Sequence, residues 1–135
     1  MRGFIKDNKD ILKFIINMHT SGQEFIWPFN GRSPNDIDDR APGYLAMFED
    51  IRMRAQFPSR TLFGNAGAVI GEKMGGDADD YVLSKFGIPS VTAELGANDE
   101  YLDTWMCKDE RSCFNILSEN APWIEYIILN IQKIA

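Results

Sequence analysis

The apolar residues change rhythm several times along the chain, and each change predicts an element. Residues 11–18, Ile-Leu-Lys-Phe-Ile-Ile-Asn-Met, form a short run rich in β-branched side chains, which predicts a buried strand ending at His19. Thr20-Ser21-Gly22 punctuates the run. Gln23–Phe29, carrying Phe25, Ile26, Trp27 and Phe29, predicts a second strand stopped at Pro28. Residues 30–40 hold Gly31, Pro34, three Asp and two Asn, the composition of a solvated loop. Tyr44, Leu45, Phe48, Ile51 and Ala55 then fall at helical spacing behind Pro42, predicting an amphipathic helix over about 43–55. Five of the eleven glycines crowd into residues 64–76, which predicts tight turns or close backbone approach. Asp77 is placed to cap a helix through about Phe86, with Gly87 as its terminator. Pro89–Leu95 alternates as a strand with Glu94 near its end. Residues 96–120 read as a long polar connection with a short helical piece near Glu100–Trp105. Pro122 is placed to open a last helix with Trp123, Ile124, Ile127, Ile128, Ile131 and Ile134 on one wide apolar face. This order predicts an α/β fold, a sheet covered by helices.

Composition narrows the function classes. At 135 residues, 44% hydrophobic and 25% charged, the chain has the make-up of one ordinary globular domain. Fourteen basic and twenty acidic residues give a formal charge of −6 without any basic run. That argues against nucleic acid as a partner, because phosphate contacts need clustered Lys and Arg. It also argues against an anionic membrane surface. No segment reaches the roughly 18 to 20 apolar residues of a membrane span. The N-terminal residues lack the apolar core and small-residue cleavage site of a signal peptide. Cys107 and Cys113 stand six apart in a polar segment, so they close a small disulfide loop or remain two free thiols, and the compartment stays open.

Two residues stand where chemistry is placed in α/β folds. His19, the single histidine, ends a strand at a loop, the edge of a sheet where ligands bind. On residue type alone a lone histidine reads first as structural. Glu94 lies in an otherwise apolar stretch, where burial raises a carboxyl toward the range useful to a general base; the plainer reading is a glutamate at the sheet end facing water. The cluster Asp77-Ala78-Asp79-Asp80 fails the calcium-loop template, since Ile88 stands at the twelfth place. The glycine-rich stretch lacks the dinucleotide fingerprint and the phosphate-loop lysine, and no Gly-x-Ser-x-Gly elbow occurs. The two cysteines do not have the spacing of a zinc pair.

Two segments together resemble the zinc carboxypeptidase A/B family. In the first, Phe14-Ile-Ile-Asn-Met-His19-Thr-Ser-Gly-Gln23-Glu-Phe-Ile-Trp27-Pro28-Phe29, a strand ends in a histidine, followed by Thr-Ser, a glutamine four residues on, and aromatic-Pro-aromatic. In the second, Gly75-Gly-Asp-Ala-Asp79-Asp80-Tyr81 precedes Gly87-Ile-Pro-Ser-Val-Thr-Ala-Glu94-Leu95, which looks like the family's specificity loop and its Thr-x-Glu-Leu strand. The C-terminal apolar helix matches in order. The resemblance implies part of a mixed β-sheet flanked by helices, with residues 1–135 forming the C-terminal portion of the catalytic domain. It implies a metallocarboxypeptidase that releases C-terminal amino acids from peptides or proteins. His19 would be one ligand of Zn2+ and Glu94 the general base. Asp79, fifteen residues before Glu94, would set side-chain preference, with Asp80 in that place if the alignment slides by one. An aspartate there resembles members that remove Lys or Arg, and members of the family are often secreted.

The sequence also departs from the family. No His-x-x-Glu motif occurs, although the family draws its first two zinc ligands from one upstream. The segment with the substrate-binding arginine is absent too. Glu72 stands where the family has a mobile tyrosine, and Tyr81 where it has a tryptophan. The chain therefore reads as about half of a domain. The alternative is an inactive, truncated or degenerate carboxypeptidase-like protein that serves as a binding module. A half-sheet of this kind is expected to expose an edge and apolar faces.

Overall fold

The computed structural model describes residues 2–32, 43–96, 102–103 and 106–134. In chain order the elements are α1 (Arg2–Asn8), β1 (Ile15–His19), β2 (Glu24–Ile26), α2 (Tyr44–Arg54), β3 (Leu62–Gly64), α3 (Ala66–Val69), α4 (Ala78–Phe86), β4 (Ser90–Glu94), β5 (Leu102–Asp103), β6 (Met106–Cys107) and α5 (Glu110–Ile134). The main sheet runs β1-β4-β2-β3. β4 lies parallel to β1 and antiparallel to β2, and β2 is parallel to β3, so the sheet is mixed. β5 and β6 form a separate antiparallel pair.

Alternation along the strands sends side chains to opposite faces, and helices cover both. Phe25 and Trp27 from β2 and its extension join Val91 and Ala93 of β4 on one face. There they pack with Phe48 and Ile51 of α2 and Trp123 and Ile127 of α5. Trp27 stacks on Phe48 with ring centroids 5.8 Å apart, and Trp123 stacks on Phe57 at 5.2 Å. On the other face Ile5 of α1 meets Val82 of α4 and Ile88, with Ile15 and Leu12 partly buried beside them. β4 is thus covered on both sides, which explains its nearly unbroken burial. The fold is mixed α/β with helices flanking the sheet, as the sequence predicts.

Local chemistry accounts for the elements that match. Asp77 accepts from the Asp79 N–H at the start of α4, and Gly87 ends that helix at φ 66°. α2 ends at Arg54, one residue short of the expected limit; Pro42 lies outside the described residues. The strand expected over residues 11–18 pairs from Ile15 to His19, and the second is shorter than expected, Glu24–Ile26.

The C-terminal region differs from expectation. The last helix begins at Glu110, and Pro122 lies inside it. Asp109 supplies the cap, its carboxylate accepting from the Ser112 N–H at 2.7 Å. Proline in a helix interior loses one backbone bond. Buried Ile116 before it and Trp123 and Ile127 after it hold both sides of α5 against the rest of the fold. Of the helical piece expected near Glu100–Trp105, Leu102–Asp103 is strand instead, and the other positions lie outside the described residues. Cys107 and Cys113 are joined, which ties β6 to the first turns of α5. The glycine-rich stretch holds β3 and α3 as well as turns. A Cβ on Gly64 would come within 2.8 Å of Ala68 Cβ, so the close approach there requires glycine. No helix among the described residues is long and apolar enough to cross a membrane.

Candidate active site

β1, β4 and β2 are adjacent, and their register builds a row across one face of the sheet. His19, last in β1, lies opposite Glu94, last in β4. Glu24, first in the antiparallel β2, lies opposite Glu94 from the other side. His19 Nδ1 is 3.8 Å from Glu94 Oε1. The His19 side chain is 49% exposed and that of Glu94 19%, so the imidazole faces the opening and the carboxylate sits behind it. Glu94 Oε2 is buried without a hydrogen-bond partner. Burial pushes the Glu94 carboxyl above the usual carboxylate range; His19 opposes that rise and Glu24 adds to it. Burial raises Glu24 as well.

The same face of β4 carries Ser90 and Thr92 below Glu94. Their hydroxyls each donate to Asp79, Ser90 to Oδ1 and Thr92 to Oδ2, both at 2.6 Å. Burial pushes Asp79 up to about 6, against the pull of those two bonds, with Asp77 and Asp80 adding to the rise. Asp80 turns elsewhere. It accepts from the Asn30 N–H at 2.8 and 3.1 Å and from the Gly31 N–H at 3.3 Å. It thereby ties the start of α4 to the loop after β2, and burial raises its carboxyl too. Of the sequence candidates, His19 and Glu94 stand together, Asp79 lies on the Glu94 face of β4, and Asp80 lies against the loop.

Sequence reasoning missed Glu24 as a member of the row. Alternation within the second strand was its signal, because Phe25 and Trp27 face the core and Glu24 therefore faces the other way. The fold also leaves Asp77 capping α4 rather than serving the row.

A catalytic zinc takes three protein ligands and an open position. Among the described residues no three His, Cys, Asp or Glu are grouped to hold a metal ion, and both cysteines are in the disulfide. An imidazole beside a carboxylate with an orphaned oxygen fits one ligand and one base. The described residues therefore do not by themselves make a catalytic zinc site.

No family model matches the chain, and no curated protein sequence matches it. Among solved structures it is similar to bovine thrombin-activatable fibrinolysis inhibitor, determined in complex with tick carboxypeptidase inhibitor. The two share 18% identity and superpose with a TM-score of 0.65, covering 99% of this chain and 44% of that one. The likeness is one of fold, and the chain spans less than half the length of this solved relative. Over nearly its whole length the chain has a carboxypeptidase-like α/β fold.

Proposed function

We propose that this chain carries the general base and one metal ligand of a zinc-dependent carboxypeptidase that releases residues from peptide or protein C-termini. The observation that carries the reading is the pairing of His19 with Glu94 at 3.8 Å, at the ends of two parallel strands, with one Glu94 oxygen buried and unpartnered. The ends of parallel strands are where α/β folds bind ligands.

His19 offers its imidazole from the open side of the row, and two further ligands would come from outside the described residues. A zinc ion bound there would supply a Lewis acid and lower the pKa of its water. Glu94 takes up a proton from the attacking water and hands it to the departing amine. Its raised affinity for protons suits both halves of that task, and Glu24 supports it as a neighbouring negative charge. Asp79 suits the floor of the side-chain pocket better than Asp80. It lies against the Glu94 face of β4, where its two oxygens accept from Ser90 and Thr92. A carboxylate at that floor favours a substrate ending in Lys or Arg. Asp80 has its oxygens committed to Asn30 and Gly31 and holds the loop.

Release of C-terminal amino acids from peptides, measured on the protein expressed from its whole reading frame, tests the reading. We expect zinc-dependent release that Glu94→Gln lowers roughly 100- to 10,000-fold, the usual range for losing a general base. Release that survives Glu94→Gln unchanged, or none from the zinc-loaded protein, contradicts it.

A further inference from the structure

Gln23 and Asn120 are 97 positions apart and fully buried, and their side-chain amides meet. Gln23 Nε2 donates to Asn120 Oδ1 at 2.9 Å and to Thr61 Oγ1 at 3.3 Å. Gln23 Oε1 accepts from the Gly96 N–H at 3.2 Å and from Asn120 Nδ2 at 3.4 Å. An amide has two donor hydrogens and an oxygen with two lone pairs, so Gln23 is saturated without water. Asn120 is anchored in turn on α5. Its Oδ1 accepts from Trp123 Nε1 at 2.9 Å, and its Nδ2 donates to the Ile116 carbonyl at 2.9 Å.

Two backbone bonds flank this pair. The Leu95 N–H donates to the His19 carbonyl and the Gly22 N–H to the Gly96 carbonyl, both at 2.9 Å. The segment leaving His19 and the segment leaving Glu94 are therefore stitched together just past the row. Gln23 adopts φ 58°, in the left-handed region that non-glycine residues seldom enter. Such a conformation persists where the surroundings over-determine it. Here the side chain makes four bonds and the carbonyl accepts from the Leu62 N–H at 3.0 Å.

We infer that Gln23 and Asn120 are positioning residues: one buried amide pair, seated on α5, holds the chain after His19 and the chain after Glu94 in a single arrangement. The role rests on reading His19 and Glu94 as the functional pair. An amide does not titrate, so the clamp is the same at every pH at which Glu94 exchanges protons. An apolar side chain of equal length would fill the space and leave the Gly96 N–H and the Asn120 amide short of partners.

Nuclear Overhauser contacts between the His19 ring and the Glu94 side chain, in the folded chain without added metal, test the inference. We expect Gln23→Met to lose these contacts while those across Ile16 and Val91 persist. The double variant Gln23→Asn with Asn120→Gln moves one methylene across the pair, keeps both amides, and should restore them. If Gln23→Met does not fold, Asn120→Ser takes its place with the same expectation. Undiminished contacts in the folded single variant, or a folded double variant that fails to regain them, overturn the inference. Because no zinc is present, a protein that binds no zinc at His19 defeats the proposed function by a separate result and does not decide this one.

Discussion

Replacing Asp79 by asparagine keeps the shape of the side chain and removes its charge. Asp79 is 1% exposed, and burial raises its carboxyl from an ordinary 3.8 to about 6. The folded protein thus holds the Asp79 proton more tightly than the unfolded chain does. A group of this kind contributes stability that is whole below pH 3.8 and is lost as the pH rises to about 6. The loss is about 3 kcal/mol, at about 1.4 kcal/mol per tenfold change in proton affinity. Ser90 and Thr92 can accept as well as donate, so an asparagine amide keeps both contacts. Urea unfolding of the two proteins, followed through tryptophan fluorescence across this pH interval and above it, gives the comparison. We expect Asp79→Asn to gain on the wild type steadily through the interval, by up to about 3 kcal/mol, and to hold that advantage at higher pH. A difference that does not change with pH would refute the reasoning. In the proposed reading the charge is kept because a basic substrate end needs it, a common trade between stability and function.

Two further predictions concern the body of the fold. Trp123→Ala should destabilise the chain by roughly 3 to 5 kcal/mol in the same unfolding measurement, the range for emptying a buried aromatic site. It removes the stack on Phe57 and the edge contact with Phe25 at 5.6 Å, and it deprives Asn120 of a donor; a loss well under this range would mean that the core closes over the gap. β1 lies at the edge of the described sheet, with Met18 45% exposed, and such an edge invites strand pairing between copies. Sedimentation should show association that grows with concentration and weakens in Met18→Lys, and a wild type that stays monomeric at high concentration would count against an open edge.

Much of the fold was legible where local chemistry decides it. Asp77 and Gly87 bracket α4 because a capping carboxylate and a left-handed glycine act within one turn. The apolar runs around Ile15–His19 and Ser90–Glu94 are strands because short β-branched segments suit a pleated sheet. Only Ser90–Glu94 is buried on both faces; Ile15–His19, expected to be buried, lies at the sheet edge and is half-buried to exposed. Pro122 misled because its usual place is a first turn, whereas burial of Trp123 and Ile127 against distant residues holds it within a helix. The Asp109 cap was a readable signal overshadowed by that proline. Spacing alone could not decide whether Cys107 and Cys113 are joined. In the site, His19 and Glu94 could each be placed at a strand end, but their pairing depends on the register of β1 against β4. The union of Gln23 with Asn120 is still less local, because a contact between residues 97 apart leaves no periodic trace in the sequence.

The central claim is that His19 is a metal ligand with Glu94 at its side, and the single histidine makes this directly measurable. In the nitrogen–proton spectrum of the labelled chain, its imidazole gives one pair of ring nitrogen signals, free of overlap with any other histidine. Titration with Zn2+ should shift the His19 ring nitrogens saturably, more weakly in Glu94→Gln, where the neighbouring negative charge is gone, while Mg2+ leaves them in place. Ring nitrogens that Zn2+ does not move would contradict the account.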